Sequence, residues 1–278
     1  MFTALRIGDY TEKARVSALQ RGIEAIGGKV IWHPKNDLDS IRDILESRKI
    51  RFAFTHGAKE RESAVRGFLK GHGIPLLITE LGYFRRSADG SDPLGYTQLG
   101  IDRLCWTPAR ACDSSRFDAL KIAVAARKKE NPKGAVLILG QVPNDTQHWL
   151  SHQALSEWLS VRAGYYLGQR RKVYYRAHPK FYSLQLKAPV DKLDSLSVPL
   201  GEHLKLASRV ITYNSTGGLE ALCHGLPVEC HTSAHYAQVA RGTRDEILAH
   251  FHKLAWSQWT IQELEDGTAL KFMEEFLP

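Results

Sequence analysis

At 278 residues, with 43% apolar and 24% charged side chains, the chain has a globular composition and room for two domains of ordinary size. No apolar run approaches the ~20 residues that a bilayer-spanning helix needs. The opening Met-Phe-Thr-Ala-Leu-Arg lacks the basic region of a secretory signal, so a cytoplasmic protein is expected. Its four cysteines, Cys105, Cys112, Cys223 and Cys230, lack the close spacing of a zinc knuckle and are expected to be reduced thiols. The net charge of +8 is uneven: residues 126–244 hold 16 Lys and Arg against 8 Asp and Glu, whereas 245–278 hold 2 against 7. A basic middle suits polyanionic partners, either nucleotide diphosphates or nucleic acid.

In chain order, residues 4–7, 30–33, 51–55 and 75–79 read as strands. Between them, 11–26, 39–47 and 63–70 read as helices, closed by Gly27-Gly28 in the first case and by Gly71 and Gly73 in the last. This alternation with short connections predicts a parallel, doubly wound sheet, whose ligands bind beyond the carboxyl ends of the strands. Asp9, His33, His56 and Glu80 fall at or just past those ends. Residues 81–112 break the pattern as a long loop carrying Tyr83, Phe84, Arg85, Arg86, Tyr96 and Trp106. Residues 115–127 look helical, and the charged Pro- and Gly-bearing stretch 128–134 reads as a domain connector. The expected domains are therefore 1–127 and 128–278.

The second half restarts the rhythm. Strands are expected at 135–139, 173–176 and 210–212, with another starting at Val228, and helices at 154–167, 203–207 and from Leu219. Residues 190–198 read as an extended link. Gly225 and Pro227 stop the helix that begins at Leu219, and Thr260-x-x-Glu263 forms a capping box before a last helix.

Three turns share one topological position, the exit of a parallel strand. They are Gly140-Gln141-Val-Pro-Asn-Asp145-Thr146, Arg176-Ala-His178-Pro179-Lys180 and Asn214-Ser215-Thr216-Gly-Gly218. Backbone N–H groups, hydroxyls, an imidazole and two cations at one rim are the groups that bind a diphosphate. Each residue also has a plainer reading. Asp145 can be a turn residue, Glu80 can pair with Arg85 or Arg86, His178 can cap a strand end, and Glu220 can simply favour the helix dipole.

The order of a Gly-Gln turn with a following Asp, then Arg-x-His-Pro, then Asn-Ser-Thr-x-x-x-Glu-Ala-Leu-x-x-Gly-x-Pro-Val resembles the donor half of GT-B glycosyltransferases. It looks most like the Kdo-transferase-like, capsule-polysaccharide branch. Phage-encoded glycosyltransferases thought to decorate modified DNA bases are also similar, in Glu80-Leu-Gly-Tyr83 and Gln258-Trp-Thr-x-x-Glu263. The resemblance spans roughly residues 76–265 and is weakest in the first domain. The family often has Lys where this chain has Arg176.

The resemblance implies an α/β fold of two Rossmann-like domains facing a cleft, and transfer of a sugar from a nucleotide-activated donor. It implies donor and phosphate contacts by Gln141, Arg176, His178, Asn214, Ser215, Thr216 and Glu220. Asp145 would act at the reaction centre and Glu80 as the base on the acceptor hydroxyl. No metal is implied, and no cofactor beyond the nucleotide-sugar substrate. Tyr83, Phe84, Arg85 and Arg86 are candidates to hold an acceptor, with a hydroxylated base in double-stranded (phage) DNA preferred, in which case the host cytoplasm is the location. A capsule-type polysaccharide acceptor, a non-catalytic nucleotide or nucleic-acid binder and a nucleotide-sugar epimerase remain as alternatives.

Overall fold

The computed structural model of the chain describes residues 2–8, 14–34, 37–57, 62–85, 95–145 and 147–277. Asp9, Arg86 and Thr146 lie outside them. The chain divides into two compact units, Met1–Leu120 with His252–Pro278, and Lys121–Phe251.

The first unit opens with four strands, β1 (Thr3–Ile7), β2 (Lys29–His33), β3 (Ile50–His56) and β4 (Leu76–Leu81). The helices α1 (Ala14–Ala25), α2 (Leu38–Ser47) and α3 (Glu62–Gly71) alternate with them. Pairing is parallel throughout these four, β4 against β3, β3 against β1 and β1 against β2. Both faces of the sheet are covered, so β3 and β4 read as near-continuous apolar runs rather than alternating ones. Ala4, Phe52, Phe54 and Leu77 face one core with Val16, Leu19 and Ile23 of α1. Leu5, Ala53, Leu76 and Ile78 face the other with Ile41 of α2 and Leu69 of α3. Asp37 starts α2 by accepting the Ser40 amide at 3.0 Å.

The long loop contains a fifth strand, β5 (Thr97–Ile101), antiparallel to β4. A short helix α4 (Ser115–Ala119) follows it, where the sequence predicts one reaching residue 127. Lys121 adopts φ +54, and the chain then runs as a strap: the Ala125 and Lys128 amides bond Cys223 O and Gly225 O, each at 2.8 Å. Arg127 reinforces the strap by donating to Leu226 O and Ala240 O at 2.6 Å. These long-range partners outbid the local helical pattern, and the second unit begins at Lys121 rather than at 128.

In the second unit β6 (Val136–Leu139), α5 (His152–Gly168), β7 (Val173–Arg176), β8 (Asp191–Leu193), α6 (Leu200–Leu204), β9 (Arg209–Thr212), α7 (Gly217–Cys223) and β10 (Val228–Cys230) follow in turn. The five strands are all parallel, in the order β10-β9-β6-β7-β8. Leu155, Leu159 and Ala163 of α5 pack on Val136, Ile138, Val173, Tyr175 and Ile211.

Helix α8 (Arg244–Ala255) straddles the division, and β11 (Gln258–Trp259), α9 (Ile261–Glu265) and α10 (Thr268–Met273) complete the chain. This tail belongs to the first unit, against the expected 128–278 domain. The physical reason is a sheet edge: β11 adds to β5 with Gln258 opposite Gln98 and Trp259 opposite Thr97, giving the order β11-β5-β4-β3-β1-β2. Trp259, Leu264, Leu270 and Met273 then fill the α1 side of the core. At Gly22 of α1 an added Cβ would lie 1.9 Å from Leu264 O, so only glycine lets α9 approach. The Thr260/Glu263 capping box forms as predicted, and Glu263 also accepts from Arg116 at 2.6 Å. No helix among the described residues is long and apolar enough to cross a membrane.

Gln258 is fully buried, and its Oε1 accepts the amides of Tyr83 and Phe84 at 2.8 and 2.9 Å. Replacing it with Leu leaves both amides without that acceptor. Gln258→Leu is expected to lower the unfolding free energy by about 1–3 kcal/mol: two amides each lose an acceptor at ~1–3 kcal/mol, and removal of the Gln258 Nε2, itself buried without a partner, offsets about one such cost. Urea denaturation checks this, and a loss under ~0.5 kcal/mol refutes it.

Candidate functional site

The carboxyl edge of the second sheet is built by the turns that leave β6, β7 and β9, which sit side by side. After β6, Gly140 continues the ladder by donating to Arg176 O at 2.8 Å. A Cβ there would meet Tyr175 Oη at 2.7 Å, so the tight passage needs glycine. Gln141 then turns inward. Its Nε2 donates to Asn214 Oδ1 at 2.7 Å, and its Oε1 accepts the Asn214 amide at 2.8 Å. Asn214 donates onward from Nδ2 to Gln147 O at 2.9 Å. Only 8% and 2% of these two residues are exposed. Gln141 and Asn214, expected at a donor phosphate, are buried, and their side-chain amides clamp the first and third turns together.

Arg176, also expected at the donor phosphate, is likewise engaged inside the unit. It is 8% exposed, and its Nη1 donates to Val198 O at 2.8 Å and to His203 Nδ1 at 2.7 Å. Longer bonds reach Asp194 O and Ser195 O. Burial and the adjacent guanidinium hold His203 below the usual imidazole range, which keeps its Nδ1 an acceptor. Arg176 is a strut for the 194–203 segment, and Glu220 and Asp194 supply the negative charge that acts on it.

His178, Ser215, Thr216 and Glu220 are presented differently. His178 is half-buried, and its Nδ1 accepts the Lys180 amide at 3.1 Å, so the neutral ring carries its proton on Nε2. Ser215 and Thr216 are half-buried and Glu220 is exposed. The backbone at the start of α7 is less available than expected. Gly217 N donates to Ser215 Oγ at 3.1 Å and Gly218 N to Ser215 O at 2.9 Å. Ser215 O also accepts Tyr236 Oη at 2.6 Å, and a Cβ on Gly218 would fall 2.1 Å from that oxygen.

Asp145 lies in the turn after β6, half-buried, with Oδ1 accepting the Gln147 amide at 3.0 Å. His148, which the sequence gave no reason to single out, sits behind it. It is buried, and its Nδ1 accepts the Leu150 amide at 3.0 Å.

In the first unit the carboxyl ends of β2, β3 and β4 carry His33, His56 and Glu80. Glu80 is half-buried, with Oε1 accepting the Leu81 amide at 2.9 Å. Its Oε2 lies 3.8 Å from the Cβ position of Gly57, just past His56. His56 bonds Thr79 Oγ1 at 3.1 Å, so the imidazole and the carboxylate end neighbouring strands. His33 is buried, with Nδ1 donating to Pro34 O at 2.7 Å.

The aromatic acceptor candidates do not survive folding as a surface. Tyr83 and Phe84 are each 6% exposed, and Phe84 packs edge-on against Phe117 at 5.5 Å. Burial raises the Tyr83 phenol well above its usual range. Gln258, 174 residues on, holds both backbones inward. Arg85 is exposed with φ +47, and Arg86 lies outside the described residues.

No protein-family model matches the chain, and no curated protein resembles it in sequence. Solved structures do match. The beta Kdo 2,4 transferase of Thermosulfurimonas dismutans KpsC aligns with a TM-score of 0.62 at 16% identity over 92% of each chain. The beta Kdo 2,7 transferase of the same protein aligns at 0.58 and 15% identity, over 98% of this chain and 100% of that one. The shared property is the fold. The chain has the α/β architecture of two Rossmann-like units found in GT-B proteins.

Because Arg176 serves as a strut, Arg176→Gln is expected to destabilise the second unit by about 2–4 kcal/mol, as when one partner of a buried charged network is removed. Chemical denaturation of the variant and of His178→Ala checks this. Arg176→Gln should lose stability, and His178→Ala should stay within ~1 kcal/mol of the parent.

Proposed function

We propose that the chain is a glycosyltransferase that moves a sugar from a nucleotide-activated donor to an acceptor hydroxyl. The observation that carries this reading is the carboxyl edge of the second sheet. There His178, Ser215, Thr216 and Asp145 stay partly exposed and Glu220 exposed, around turns that Gln141, Asn214 and Arg176 hold rigid. The likeness to Kdo transferases supports it at the level of fold.

Glycosyl transfer breaks the bond from the anomeric carbon to a phosphate oxygen and passes through an oxocarbenium-like state. The leaving phosphate gains charge as that bond breaks. His178 Nε2–H and the hydroxyls of Ser215 and Thr216 are donors that can meet it. Glu220, one turn into α7, is an acceptor for a ribose or sugar hydroxyl. Asp145 supplies a carboxylate whose position is fixed by the Gln147 amide, to stabilise the positive anomeric carbon or to bond to it. On the first unit Glu80 is the general base for the acceptor hydroxyl, with His56 beside it.

A glycan hydroxyl is the favoured acceptor, because the matched structures carry Kdo transferase names. A flipped base in duplex DNA needs side chains to stack on it, and Tyr83 and Phe84 are packed in the core instead. The remaining support for DNA is the basic excess of residues 126–244.

A thermal-shift screen of the full chain over nucleotide mono- and diphosphates and their sugars is expected to single out one donor class. With that donor, Glu80→Gln and Asp145→Asn should each lower kcat by about 10²–10⁴-fold, as when an acid–base group is lost, while donor KM changes little. His178→Ala should instead weaken nucleotide binding in calorimetry. Transfer surviving either carboxylate change within tenfold removes that residue's role. Interconversion of the nucleotide sugar with no acceptor present would replace transferase by epimerase. Transfer to hydroxymethylated DNA, with steep salt dependence, would restore the nucleic-acid acceptor.

A further inference from the structure

Asn144, Asp145 and residues 147–150 are joined in a closed knot of hydrogen bonds. Asn144 N donates to Leu150 O at 2.7 Å, and the amides of His148 and Trp149 both donate to Asp145 O, at 3.1 and 3.0 Å. Asp145 Oδ1 accepts from Gln147 N at 3.0 Å, and Gln147 O accepts the Asn214 side chain at 2.9 Å. Two non-glycine residues in the knot have left-handed backbone, Asn144 at φ +54 and Trp149 at φ +57. Such conformations persist only where surrounding contacts over-determine them. The contact that closes the far end is the His148 side chain. It is buried beneath the loop, edge-on to Tyr213 of the β9 exit at 5.6 Å, and its Nδ1 accepts the Leu150 amide at 3.0 Å.

We propose that His148 is a positioning residue for Asp145: as a neutral imidazole accepting at Nδ1, it locks this knot and thereby the direction of the Asp145 carboxylate. This rests on the reading of Asp145 as the carboxylate at the reaction centre.

The acceptor role requires a lone pair on Nδ1. A protonated imidazole would set an N–H against the Leu150 N–H, two donors facing each other, and the knot would have to open. Asp145, on the same loop, is the charge that acts on His148 and it favours protonation. The Val142 carbonyl does so too, whereas burial disfavours it and prevails. From the neighbouring elements, Tyr213 faces the ring, and His231 stacks on the Tyr213 ring at 4.3 Å. The folded pKa lies below the usual 6.5, so the knot is complete at and above that usual value and is lost only as pH falls through the lower, folded pKa.

The test uses the full chain with His148→Ala and His148→Asn. The Asn side chain places Oδ1 where Nδ1 was and does not titrate. Amide hydrogen exchange at Leu150, corrected for its intrinsic pH dependence, is read beside transfer kinetics. His148→Ala is expected to speed Leu150 exchange at least tenfold and to lower kcat at least tenfold, with donor KM within about twofold. His148→Asn should restore both near pH 7. It should also remove the low-pH loss of Leu150 protection that the parent shows. Unchanged Leu150 protection in His148→Ala overturns the proposal, as does an Asn variant no better than Ala. If the parent transfers no sugar but the exchange pattern holds, the lock stands and the assignment of Asp145 as a reacting carboxylate falls.

Discussion

The reciprocal amide pair of Gln141 and Asn214 is the constraint on which the second unit's edge depends. A parallel sheet ends with its strands stopped side by side, and every turn that leaves it must satisfy its own polar groups without a neighbouring ladder. Here one buried side chain bridges β6 to β9, and the other carries the link on to Gln147 in the turn that holds Asp145. A buried polar network of this kind stabilises one geometry when every member is matched, and is costly when one is removed. The first unit solves the same problem with the same residue type. Gln98 donates to Leu81 O and accepts the Cys105 amide, and Gln258 beside it holds Tyr83 and Phe84, so the segment after Glu80 is fixed by two buried glutamines.

Burial separates architecture from chemistry among residues that look alike in sequence. Arg176 and His178 are two positions apart on one turn. The first is spent on three loop carbonyls and an imidazole, and the second stays partly exposed. Asn214 and Ser215 are adjacent, and only the second stays partly exposed. The end of the strand is the cause: Arg176 still belongs to β7 and reaches Val198 O and His203 of α6, whereas His178 lies in the turn past the last ladder pair.

The strand–helix alternation of both halves was legible because parallel strands covered on both faces leave apolar runs with few competing readings. The positions of Glu80, Asp145 and His178 at strand exits followed from the same pattern. What escaped reading was long-range. β5 carries the buried polar residues Thr97 and Gln98, and has no alternation to announce it until Gln258 and Trp259 pair with it from over 150 residues away. The helix expected through residue 127 had good local propensity, but Arg127 and the amides of the strap found partners near residues 223–240. His148 showed no motif, since its role lies in one lone pair turned to an amide two residues on.

Folding also redistributes the charge that the sequence displays as a basic middle and an acidic tail. The tail returns to the first unit, where Glu263, Glu265, Glu274 and Glu275 pair with Arg116, Arg21, Arg51 and Arg110. Those pairs are mostly exposed and each is worth little, but together they bring the first unit close to neutrality and leave the excess on the second. There much of it is already committed. Arg171 and Arg209 converge on Glu130, pulling its carboxyl down to about 2, and Arg127 and Arg176 are bound to backbone carbonyls. Arginines paired or bonded within the fold in this way have less charge free to displace counterions from a nucleic-acid backbone. A count of basic residues therefore overstates the surface a polyanion could use. The excess that stays on the surface is carried by lysines and by the arginines outside these networks, among them Lys128, Lys129, Lys133, Lys180 and Arg241, all exposed.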